Sequence, residues 1–318
     1  MPPESPEQAW APPDAALLRL LARLQADGYR FVTVTPSTHA RVVKRGDRAE
    51  ARSLRDVLGW SLPFAADLPP PDLLALMREA GVVERRGARL AANVRVSSLH
   101  GRLFLHSAFP TDRPDSVFLG PDSYRFADFI AAEAEAGSPV RRLAEIGAGA
   151  GVGAVVAAGP SPGAEVLLTD INPEALRLAR LNAAAAGLDV QAVRTSGLDG
   201  VEGPFDLIVA NPPYIADPEG LTYRDGGGLH GGQMAVDWAR AAAGRLAPGG
   251  RLLLYTGAAI VDGRDDVRAA LQETAADAGC ALRYREIDPD VFGEQLDLPG
   301  YEDVERIAAV GAVLSRAP

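Results

Sequence analysis

Glu145-Ile146-Gly147-Ala148-Gly149-Ala150-Gly151-Val152-Gly153 follows a short apolar run and opens onto a segment of small residues. Glycine tolerates backbone conformations closed to other residues, and without a Cβ it lets the main chain approach a ligand closely. A glycine run between a strand and a helix therefore marks the first turn of a βα unit. Working outward, apolar runs recur near 143–146, 166–169, 190–193, 207–210, 252–255, 281–284 and 307–314. The segments between them carry helical periodicity, clearest at 173–186, 234–246 and 265–278. Alternation of this kind predicts an α/β domain whose mostly parallel sheet is covered on both faces.

Three further strand ends carry polar groups where open sheets bind ligands, at the carboxyl edge. Asp170 closes the second run and is placed to accept from both ribose hydroxyls of a nucleoside. Its alternative role as a helix cap is met by Asn172-Pro173, with proline at the first helical position. Ser196-Gly197-Leu198-Asp199 closes the third run. The fourth run ends in Asn211-Pro212-Pro213-Tyr214, a stiff turn whose prolines donate no N–H and whose carbonyl oxygens remain free to accept. Glu145 is unusual for the strand before a glycine loop. A carboxylate there would receive a cationic or amino end of the ligand, and it argues against a nicotinamide dinucleotide. Tyr223-Arg224-Asp225-Gly226-Gly227-Gly228-Leu229-His230-Gly231-Gly232 reads as a loop beside the substrate, with Arg224 and His230 either touching an anionic group or ordering the loop.

The chain has 318 residues, 47% hydrophobic and 23% charged, the composition of a globular protein. Residues 1–115 hold 16 Arg+Lys against 13 Asp+Glu, a balance of +3, while the rest hold 16 against 29, or −13. An acidic body disfavours bulk nucleic-acid binding, although the front third could carry a small basic surface. The single cysteine, Cys280, excludes an internal disulfide and a cysteine-cluster metal site, and no metal is expected. No apolar run reaches the length of a membrane span, and the start Met1-Pro2-Pro3-Glu4-Ser5-Pro6-Glu7 lacks the features of a signal peptide, so a cytoplasmic location is expected. The front third, 1–115, predicts helices over 13–28, 50–58 and 72–80. It also predicts a β-branched run at 31–34 and hairpins over 82–90 and 94–106. Helices followed by a small basic hairpin resemble a winged-helix module; a lid over the active site is the plainer reading.

Taken together, the glycine loop, Asp170 and the Asn211 turn resemble the class I S-adenosylmethionine-dependent methyltransferases. Residues 116–318 match this pattern best in the release-factor glutamine methyltransferases and the small-domain ribosomal RNA methyltransferases. The resemblance implies a Rossmann-like, seven-stranded sheet with a closing antiparallel hairpin, preceded by an N-terminal α+β domain. It implies S-adenosyl-L-methionine as cofactor, held by Glu145, Gly147, Ala148, Gly149 and Gly151. Asp170, Ile171, Asn172, Ser196, Gly197 and Asn211 complete that set, with Ser196 or Asp199 at the adenine. It also implies N-methylation of a planar amino group, with Asn211 and the Pro212 carbonyl orienting the NH2 and Tyr214 stacking on it. Acceptors of this type are bases of RNA or DNA and the glutamine amide of a protein of the translation apparatus. One departure is Gly120-Pro121-Asp122-Ser123-Tyr124, where glutamine methyltransferases carry an Arg-Pro-Glu-Thr-Glu-like segment. A second is the hairpins of the front domain. Alternatives are methylation of a small natural product under a front-domain lid, and a non-catalytic adenosyl-ligand module.

Overall fold

A computed structural model describes residues 10–135, 140–215 and 226–318. The acidic start at 1–7 and the Tyr223-Arg224-Asp225 part of the glycine-rich loop lie outside these residues. Two units are distinguished. One takes the chain up to Thr111 with Leu119–Pro121 and Ala184–Ala186; the other takes Asp112–Phe118, Asp122–Ala183 and Gly187–Pro318.

In the first unit, helix α1 (Pro12–Ala26) buries Ala16, Leu17, Leu20, Leu21 and Leu24, the stripe that the periodicity predicts. Helices α2 (Pro36–Val43), α3 (Leu54–Leu58) and α4 (Pro71–Glu79) follow, then two antiparallel hairpins. The first pairs β1 (Val83–Arg86) with β2 (Arg89–Ala92), and the second β3 (Val94–Leu99) with β4 (Arg102–Ser107). Three local expectations differ. The helix expected over 50–58 begins only at Leu54, because Ser53 is extended (φ −151°) and its side chain caps the helix by accepting from the Asp56 N–H at 3.2 Å. The β-branched run at 31–34 joins no sheet. The Phe31 carbonyl accepts from the Ser98 N–H at 2.8 Å, and Thr35 and Pro36 then start α2. That helix went unread because its residues are basic and β-branched. Its signal was the Thr35 cap, which accepts from the Thr38 N–H.

The second unit begins with α5 (Pro121–Glu135) and alternates thereafter. Its elements are β5 (Arg142–Ile146), α6 (Val152–Ala157), β6 (Glu165–Asp170), α7 (Pro173–Ala185), β7 (Gln191–Arg194) and β8 (Phe205–Ala210). Then come α8 (Gln233–Ala243), β9 (Leu246–Val261), the short β10 (Arg264–Asp265), α9 (Asp266–Asp277), β11 (Cys280–Asp288) and β12 (Arg306–Arg316). The sheet runs β7-β6-β5-β8-β9-β12-β11, with β10 paired to β9 off that path. From β7 to β9 the pairs are parallel, and β12 enters antiparallel between β9 and β11. All seven expected strands are present, with the predicted antiparallel closure. Successive side chains of a strand face opposite sides. Ala144, Ile146, Ile208, Leu252 and Leu254 therefore pack on α8 and α9, while Leu143, Leu168, Val209 and Leu253 pack on α5, α6 and α7. Cys280 lies half-buried in β11 against the first of these cores.

Candidate active site

The glycine loop and the Asn211 turn leave adjacent strands side by side. Ile146 of β5 is in register with Ala210 of β8, so Gly147 and Asn211 are the next residues of two parallel neighbours. Gly147, Gly149 and Gly151 all adopt left-handed φ, +64°, +52° and +74°. A Cβ on Gly147 would lie 2.5 Å from the Trp238 ring, so the position is closed on two counts. Asp170 braces this loop. One carboxylate oxygen accepts from the Gly149 N–H and the other from the Asn172 N–H, both at 2.9 Å. Asn172 in turn caps α7, its side-chain oxygen accepting from the Glu174 N–H at 2.9 Å. Ile171, between the two, is 45% exposed. Thr169 donates to the Gly197 carbonyl at 2.8 Å, which ties the third strand end to the second. Ser196 and Asp199 are both exposed and belong to one turn, where the Asp199 N–H bonds the Ser196 carbonyl.

Glu145 differs from its expected role. It is 2% exposed, and its two oxygens accept from the N–H groups of Gly153 and Ala154, each at 2.8 Å. The carboxyl group thus closes the first turn of α6 from below. Burial pushes its pKa up to about 8, against the pull of those two bonds. Burial also raises Asp170.

At the reacting end the Asn211 Oδ1 is buried and has no hydrogen-bond partner among the described residues. Buried acceptors are nearly always satisfied, so an orphan next to a glycine loop points to a ligand donor. Tyr214 lies against Gly257 of β9, where a Cβ would meet its Cδ2 at 2.4 Å. Its ring meets Tyr255 and Phe292 edge-on, at centroid distances of 6.3 and 5.7 Å. Behind the turn, the backbone of Gly226 and Gly231 packs so closely on residues 213–215 that neither position has room for a side chain. The Gly226 N–H donates to the Ile215 carbonyl at 2.8 Å. His230 orders this segment: its Nε2 lies 3.1 Å from Asp303, and its carbonyl accepts from the Tyr301 hydroxyl.

A release factor glutamine methyltransferase of Cereibacter sphaeroides is 32% identical over 238 residues, which make up 69% of this chain and 82% of the relative. The chain belongs to that family. A family profile described as Methyltransferase small domain matches residues 130–260 of this chain. Another release factor glutamine methyltransferase, of Deinococcus radiodurans, is 46% identical over 165 residues, 48% of this chain and 55% of the relative. The chain spans about half the length of several curated relatives it matches. The crystal structure of Trm5b from Pyrococcus abyssi aligns over 74% of this chain and 62% of that one, with a TM-score of 0.50 at 15% identity, a likeness of fold alone. The cofactor of this family is S-adenosylmethionine.

The residues present fit that group. Three left-handed glycines bare the main chain at the carboxyl edge, a carboxylate stands at the next strand end with an exposed apolar side chain beside it, and the Asn211 turn carries a buried acceptor without a partner among the described residues. The sequence reading missed Trp238 of α8, whose ring lies under Gly147 and within 3.5 Å of where a Gly197 Cβ would be. No motif announces it; its signal was a single large aromatic on the inward face of a helix otherwise rich in alanine. Among the described residues no helix is long and apolar enough to cross a membrane, and no group of His, Cys, Asp and Glu could hold a metal.

Proposed function

We propose that the chain methylates the side-chain amide nitrogen of a glutamine in a protein of the release-factor class. The buried Oδ1 of Asn211, without a partner among the described residues, carries the reading. An amide NH2 is planar and has a delocalised lone pair, so it needs two acceptors in fixed positions. Asn211 Oδ1 takes one hydrogen and the Pro212 carbonyl the other, which orients the nitrogen and gathers its lone pair on the reacting side. The Tyr214 ring covers one face of the planar group. When bound, S-adenosylmethionine supplies an electrophilic methyl group. Gly147, Ala148, Gly149 and Gly151 line its place with main chain, Asp170 receives the ribose hydroxyls, and Ile171, Ser196 and Gly197 border the base. In this scheme Glu145 and Asn172 act from behind, by holding α6 and α7 in place.

Identity to relatives named as release factor glutamine methyltransferases favours a protein acceptor over a nucleic-acid base or a small molecule. Incubation with tritiated S-adenosylmethionine and separate pools of purified release factors, RNA, DNA and small metabolites tests this. Label in a release factor, lost when its acceptor glutamine is changed to alanine, is expected; label in RNA alone would overturn it. Asn211→Ala should abolish transfer while S-adenosylhomocysteine still binds.

A further inference from the structure

Asp122 stands in the first turn of α5, a place where acids normally face water and complement the helix dipole. Here it is 5% exposed, and it accepts a 2.7 Å hydrogen bond from the hydroxyl of Tyr255, itself fully buried in β9. Arg125, one turn along, reaches Asp122 with one nitrogen at 3.4 Å and Asp288 at the end of β11 with another at 2.8 Å. Burial is the larger influence that raises the Tyr214 hydroxyl well above its ordinary pKa, and the Asp122 charge is the next. Two tyrosines thus converge on one buried carboxylate, and one of them belongs to the turn that carries Asn211. Gly257 fixes the other side of the Tyr214 ring, and Phe292 closes its edge. Burying a charge is costly unless it is hydrogen-bonded and paired. Asp122 meets both conditions, bonded to Tyr255 and paired with Arg125, so it is a fixed point for the groups it holds.

We propose that Asp122 is a positioning residue of the transfer reaction, acting through Tyr214 and Tyr255 to hold the Asn211 turn in its receiving geometry. The inference deepens the reading above and rests on it. Without the carboxylate the two hydroxyls lose their common acceptor, the Tyr214 ring gains freedom over Gly257, and the Asn211 acceptor moves with it.

The test has two arms. In the kinetic arm Asp122→Ala lowers kcat ~10²-fold, the size of loss that small misplacements of reacting groups produce, with KM for the glutamine substrate and affinity for S-adenosylhomocysteine within about twofold. Asp122→Asn, which keeps an oxygen toward Tyr255, restores most of the rate. In a Tyr214→Phe, Tyr255→Phe background Asp122→Ala adds less than about threefold, since its partners are already gone. The second arm needs no acceptor. Protein labelled with 3-fluorotyrosine gives a fluorine resonance for each of its seven tyrosines; Tyr214→Phe assigns one, and Asp122→Ala shifts and broadens it. An unmoved Tyr214 resonance, or an undiminished Asp122→Ala loss in the double-Phe background, overturns the inference. Should Asp122→Ala fail to fold, Tyr255→Phe removes a single hydroxyl and must perturb the same resonance. A wild type that leaves glutamine unlabelled refutes the substrate reading alone, and the fluorine arm still decides whether Asp122 places Tyr214.

Discussion

Replacing Glu145 with glutamine removes one ionisable group from the floor of the glycine loop. In the folded chain the carboxyl titrates at about 8, raised by burial from the usual 4.5. Between those values the folded state holds a proton that the unfolded state has released, so stability falls as pH rises through the window. Each pKa unit corresponds to about 1.36 kcal/mol, so the whole passage amounts to roughly 4–5 kcal/mol. Glutamine keeps one acceptor oxygen but turns an NH2 toward the other helix N–H, a pH-independent cost of about 1–3 kcal/mol. Wild type should therefore be the more stable below about pH 5; its advantage should shrink as pH rises and reverse between about pH 5 and 7, so that by pH 8 to 9 the variant is the more stable by roughly 1–4 kcal/mol. Burial also shifts other groups, lowering His39 to about 4 and raising Asp170. His39 is common to both proteins and cancels in the difference, whereas Asp170 repels the Glu145 charge, so its loss of that neighbour belongs to the measured difference. Thermal melts of both proteins at matched ionic strength, at half-unit steps from pH 5 to 9, measure it. A Tm difference that is flat across the window would refute the assignment of a buried, proton-holding carboxyl under the loop.

Gly147→Ala sets a methyl group 2.5 Å from the Trp238 ring at a φ of +64° and should cost about 1–3 kcal/mol, read as a lower Tm, with loss of S-adenosylhomocysteine binding in calorimetry. Gly257→Ala should instead spare cofactor affinity and depress kcat, because its methyl would lie 2.4 Å from Tyr214; equal losses in both would argue against separate cofactor and acceptor sides. Titration with S-adenosylhomocysteine should change the emission of Trp238, and Trp238→Phe should remove the change while Trp10 and Trp60 remain. Ser53→Ala should lower stability by about 1 kcal/mol without touching turnover, as expected of a lost helix cap in the first unit.

The sheet was legible because its signals are local and repeated. Each apolar run is bounded by a turn, and seven such runs with helical spacers leave little freedom of architecture. The residues at the sheet's carboxyl edge were legible for a related reason: the glycine loop, Asp170 and Asn211 stand at strand ends, where side-chain type is less dictated by packing. Contacts made across the fold were not. Nothing near Glu145 in sequence says that its oxygens meet the N–H groups of residues eight and nine positions on, so an acid that supports a helix was read as one facing a ligand. Asp122 was visible only as a departure from a family segment. Its importance comes from Tyr255, which lies 133 residues away along the chain. In the first unit α2 escaped because propensity argued against it, and a single capping threonine outweighed that.

The pairing of Ile146 with Ala210 has a consequence for how such an enzyme can change. The glycine loop and the Asn211 turn spring from neighbouring strands, so the spacing of their backbones is the inter-strand distance of any sheet, about 4.8 Å. That ruler is backbone, and it is indifferent to which side chains decorate either loop. Segments that never touch this ruler can therefore change freely while the spacing of Gly147 and Asn211 stays constant.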